Sequence, residues 1–224
     1  MIGVLLALAV APVVTAPAAA HHVGTYTPKD NAVTTNFKQM KFSVQAKKFD
    51  VALRLFETGA LRATMRAQAA TLPPGLEDGT RAALSAGAGA EVERLLMLFF
   101  VALARDLALE AERQLAASTA SVEARTAMGQ KFLEAIWRYY NLVDFAVSMR
   151  DSKTSAAVRL AFDEAEGYTR GTAAPAAINP CAGPRPTVGR AAPDPAKLCE
   201  PLRRIAQVLS TLIEAASTPA RRNS

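Results

Sequence analysis

Leu95-Leu96-Met97-Leu98-Phe99-Phe100-Val101-Ala102-Leu103-Ala104 is a run of ten residues without one polar side chain. Wound as an α-helix, such a run is apolar on every side, and a helix with no polar face has to be enclosed by other elements. Arg105 and Asp106 end it after ten residues, against the roughly 20 that a membrane span requires. The stretch is therefore predicted as the middle of a central helix, Ala90 to about Ala116, in an all-α antiparallel bundle of about five to seven helices. No transmembrane helix is expected in the mature chain.

Composition agrees with this reading. Of 224 residues, 50% are hydrophobic, enough for a substantial core, while aromatics are only 6% and β-branched runs are few, which favours helix over sheet. The net charge of +6 is spread along several helices with acidic residues between them. Spread charge solvates a surface more often than it builds a nucleic-acid groove, so no nucleic acid is expected as partner. A protein or an anionic partner is the open alternative.

Four segments offer apolar faces to surround the central helix. Val33, Phe37, Met40 and Val44 recur at helical spacing, after a start that Thr27 would cap with Pro28 at the first helical position. The stripe loses phase at Ala46-Lys47-Lys48, where either a short turn or a continuing helix with a shifted face is expected. A second stripe, Phe49, Leu53, Phe56 and Ala60, runs on until Leu72-Pro73-Pro74-Gly75 stops it. A short helix or turn is expected over Leu76 to Leu84. The third face, Phe132, Ile136, Tyr140, Val143 and Val147, belongs to a helix predicted from the caps at Ser118 to Ser121 through Met149. Asp151 caps a helix from Ser152 to Glu166, which Gly167 is expected to stop. The fourth face, Leu202, Ile205, Leu209, Leu212 and Ile213, follows a Pro- and Gly-rich irregular loop over residues 168–197. The tail, residues 218–224, is expected to fray, and residues 21–217 to form a single helical domain.

The words Lys48-Phe49-Asp50-Val51-Ala52-Leu53-Arg54-Leu55-Phe56 resemble the second half of a tetratricopeptide repeat, in which two aromatics and a small alanine recur at fixed offsets. The first half of such a repeat is absent from Thr34 to Ser43, and no second copy follows. The resemblance therefore implies one helical hairpin and carries over no binding function.

Residues 1–20 are uncharged and apolar, and end in small residues that satisfy an A-x-A cleavage rule before His21 or before Ala19. They are expected to be a secretory signal peptide, which directs the chain to the periplasm or exterior of a bacterium. In that compartment Cys181 and Cys199 would most simply form one disulfide.

The two histidines, His21 and His22, then stand at the mature N-terminus. They resemble amino-terminal copper-binding motifs, including the histidine brace of copper monooxygenases, over two to four residues. A terminal amine with a first or third histidine suits Cu(II). A brace also needs a histidine from elsewhere, and the chain has only these two. The resemblance implies capture or carriage of copper, with a plain polar arm as the alternative.

One further constellation carries charge into apolar helices: Arg105, Asp106 and Glu110 on the central helix, and Arg138, Asn141 and Asp144 on the next. Antiparallel packing is expected to bring the two sets together as a buried polar cluster, structural or functional. With no internal histidine, neither a Ser-His-Asp site nor the Glu-x-x-His pattern of di-iron bundles can be built. Met40, Met65, Met97, Met128 and Met149 are scattered and read as core filler. The sequence therefore points to an exported, non-enzymatic binding or accessory protein. An interaction module without metal and an enzyme using the polar cluster are the alternatives.

Overall fold

In a computed structural model, which describes Tyr26, residues 28–171 and residues 192–217, the chain is all-α. The helices are α1 (Ala32–Gln45), α2 (Phe49–Thr58), α3 (Ala60–Ala67), α4 (Leu76–Ser85), α5 (Gly89–Ala117), α6 (Val122–Tyr140), α7 (Asp144–Arg150), α8 (Ser152–Arg170) and α9 (Cys199–Ser217). A 3₁₀ turn, Pro195–Leu198, leads into α9. None of the described helices is long and apolar enough to cross a membrane.

The central helix is α5, and every side chain from Leu95 to Ala104 is buried. It packs against α9, α6 and α4 and touches α1. Three of the four expected faces thus contribute to its enclosure. The fourth, on α2, packs instead on α1 and α4, and α4 takes the place against α5. An aromatic chain joins the layers: Phe37 of α1 meets Phe100 of α5 at 4.7 Å between ring centroids, and Phe100 meets Tyr139 of α6 at 5.9 Å. Burial of each such ring contributes about 1.5–3 kcal/mol relative to leaving it in water.

The turn after α1 is real. Lys47 adopts a left-handed conformation with φ 57°, and the Lys48 amide donates to the Ser43 carbonyl at 2.9 Å, which closes α1 and restarts the chain as α2. The hairpin of α1 and α2 matches what the tetratricopeptide-like words imply.

Four boundaries differ from the sequence reading, each for a local reason. α1 starts at Ala32 rather than after Thr27, because Asn31 and Thr34 form a reciprocal capping box. Asn31 also donates from Nδ2 to the Tyr139 hydroxyl at 3.0 Å, which anchors this end of α1 to α6. The helix that begins at Phe49 breaks at Gly59, long before Pro73. There the side chain of Asn36 reaches across from α1, donating to the Leu55 carbonyl at 3.0 Å and accepting from the Leu61 amide at 3.0 Å. It satisfies one backbone group on each side of the break. A Cβ at position 59 would lie 2.1 Å from Asn36 Oδ1, so only glycine admits the staple. The third correction is that α6 ends at Tyr140 instead of Met149, since α7 departs at Asp144. The fourth concerns α8, which runs through a buried Gly167 and stops at Gly171, whose φ of 68° is the left-handed cap that glycine adopts without strain.

Asn36 is 7% exposed and serves two buried backbone groups. Asn36→Ala is expected to lower stability by about 1–3 kcal/mol through those groups left unsatisfied, read as a shift in the urea midpoint at unchanged slope. An unchanged midpoint would show that the α2–α3 break does not depend on the staple.

Candidate functional site

Where α6 turns into α7, the chain leaves a groove of about 350 Å³. One wall is α1, with Phe37, Lys41, Val44 and Gln45, and the floor is the start of α5, with Val92, Glu93 and Leu96. The other wall is the α6–α7 corner and α7 itself, from Leu142 to Arg150. Phe145 and Met149 stand one helical turn apart on this wall, 78% and 72% exposed. Two large apolar side chains held in water beside an apolar floor are costly unless something covers them.

The position of α7 is fixed from behind by Asp144. Its side chain is only 8% exposed and is held by α8. Ser155 Oγ donates to Asp144 Oδ1 at 2.9 Å, Arg159 Nε donates to the same oxygen at 3.2 Å, and the second Arg159 nitrogen pairs with Oδ2. The carboxylate in turn raises the Arg159 pKa above its usual range. The Tyr140 hydroxyl is buried beside this group and makes no hydrogen bond of good geometry. Burial first, and then the negative charge of Asp144, pushes its pKa up, so Tyr140 stays a neutral phenol. These groups form a clasp between α7 and α8.

The expected polar cluster is therefore not one cluster. Arg105 Nε donates to Asp106 Oδ1 at 2.8 Å and Arg105 also donates to the Thr71 carbonyl at 2.8 Å, which ties α5 to the segment between α3 and α4. Asp106 Oδ2 is buried with no hydrogen-bond partner among the described residues. Glu110 faces outward, where Arg113 and then Gln114 hold its pKa down at about 2. Arg138 pairs with Glu134 one turn earlier on α6, at 3.1 Å, and Asn141 is exposed at the turn. Of the six, only Asp144 bears on the groove, and it does so from behind α7 rather than from the lining. α5 and α6 do pack together, but each charge finds a nearer partner on its own helix or on a segment not expected to meet it.

Cys199 is a free thiol, so the expected Cys181–Cys199 disulfide is not formed. Its sulfur lies 4.0 Å from the Glu112 carbonyl of α5, packed at the α5–α9 contact, and burial raises its pKa. Cys181 lies outside the described residues, as do His21, His22 and residues 1–20, the segment expected to be a signal peptide. Among the described residues, no three His, Cys, Asp or Glu side chains converge to hold a metal ion. Met40, Met65 and Met97 fill the core as expected, whereas Met149 does not. Phe145 and Met149 were the residues hidden from sequence reasoning. Their i, i+4 spacing falls off the Val143–Val147 stripe, and that mismatch was the available signal.

Comparison with known proteins finds no matching family model, no matching curated protein and no matching solved structure.

If Asp144 holds α7 in place, Asp144→Ala should cost about 1.5–3 kcal/mol, the range for hydrogen bonds to a charged group, and Ser155→Ala about 1 kcal/mol. Urea unfolding monitored at Trp137 measures both. An Asp144→Ala chain as stable as the parent would show that the clasp does not hold α7.

Proposed function

We propose that the chain is an exported, non-enzymatic helical binding protein, and that the groove between α1, α5 and α7 is its binding site for an apolar ligand. The observation that carries this reading is the exposure of Phe145 and Met149 on one wall of a groove whose floor is Val92 and Leu96. Concave, mostly apolar spaces with a few polar groups at the rim are where small ligands bind, and the volume here falls at the lower end of such sites. Export rests on the apolar, small-residue-terminated segment 1–20. Cu(II) capture by His21 and His22 has no support beyond the sequence, and the groove does not depend on it.

A neutral fluorescent probe that brightens in apolar surroundings, N-phenyl-1-naphthylamine, is expected to bind the purified chain at one site. Phe145→Ser and Met149→Ser should each weaken binding about tenfold, the loss of roughly half a fully buried apolar side chain, without altering thermal unfolding. Equal affinity in parent and both variants would remove the groove as the site.

A further inference from the structure

The polar groups of the groove restrict what an apolar ligand must carry. Lys41 stands on the α1 wall with its Nζ 5.8 Å from the centroid of Phe37, and Arg150 stands at the end of the α7 wall. Both are exposed, and neither makes an ion pair within 4 Å among the described residues, where most arginines are paired; Arg150 does lie near enough to Glu91 to act on it, but Glu91 is already held by Arg94. Glu93, on the floor helix, is the one acidic side chain among the lining residues. The Glu91–Arg94 pair beside Arg150 is neutral in itself, so two cations and one anion in the lining leave the groove with one positive charge to balance. A ligand with a single negative charge does so.

The shape restricts the rest. Phe37 and Gln45 are eight residues apart on α1, so the groove is ~12 Å long at the helical rise per residue. A docked helix, about 10–12 Å across with its side chains, could place only a few of them in 350 Å³. A single alkyl chain lies within that volume, against Phe37, Val92, Leu96, Phe145 and Met149. The thioether of Met149 and the ring of Phe145 can fold over such a chain because neither is packed on anything else that covers it.

We infer that the groove takes a monoanionic single-chain amphiphile, a medium-chain carboxylate, with its alkyl chain on the α5 floor and its carboxylate at the cationic rim to which Lys41 and Arg150 contribute. This rests on the reading of the groove as the binding site and adds the chemistry of the occupant.

The test is displacement of N-phenyl-1-naphthylamine from the full chain by decanoate, decanol and decyltrimethylammonium. Decanoate should displace the probe at least tenfold better than decanol, and decyltrimethylammonium least of all. The double variant Lys41→Gln/Arg150→Gln should lose the preference for decanoate over decanol, read as the ratio of their displacement constants on that same variant, and a preference kept in full would overturn the inference. Equal displacement by decanoate and decanol would overturn the inference while leaving the groove as an apolar site. A parent chain that binds neither the probe nor decanoate, by calorimetric titration, would overturn both. Probe binding that disappears as the chain dimerises with rising concentration would assign the groove to a second copy and overturn the carboxylate.

Discussion

A helix that is apolar all round cannot meet water anywhere along that length, and α5 imposes this condition on everything around it. Its buried stretch from Leu95 to Ala104 needs neighbours on all sides, and α9, α6, α4 and α1 supply them. The constraint also sets what the neighbours can be. Each must show one apolar stripe inward and carry its charges outward, which is why the ion pairs of this chain lie mostly along helix surfaces, as in Arg113 with Glu110 and Arg203 with Glu112.

Polar side chains enter the interior at few places, and there they decide where helices break. Asn36 holds the ends of α2 and α3 on either side of Gly59, and Asp144 holds the first turn of α7 against α8. Both act on chain segments that would otherwise continue as longer helices. The break at Asp144 has the larger consequence, because it swings α7 away from the line of α6 and opens the space beside α1 and α5. The groove is thus a product of the same clasp that satisfies a buried carboxylate.

Much of this was legible in the residues. The run Leu95–Ala104, the caps Ser121 and Asp151, and the stripes of α1 and α9 are local signals, and local signals place helices and their buried faces. What was not legible depends on partners far away in the chain. Asn36 looks like one polar residue on α1 until Leu55 and Leu61 are beside it, and Asp144 looks like an interruption of α6 until Ser155 and Arg159 reach it. The expected meeting of Arg105, Asp106 and Glu110 with Arg138, Asn141 and Asp144 failed for the same reason. Thr71, Arg113, Glu134 and Arg159 were closer partners, and a charge takes the partner that costs least to reach. Phe145 and Met149 were missed because a stripe argument assigns apolar residues to the core, and these two belong to the surface that α7 presents.

The enclosure of α5 is the claim on which the fold, the clasp and the groove all rest, and native-state hydrogen exchange tests it most directly. Amides from Leu96 to Ala104 should exchange only through global unfolding, with a free energy equal to that measured by urea, while those of the seven-residue α7 open at lower cost. Exchange of the Leu96–Ala104 amides through a local opening well below the global value would contradict the account.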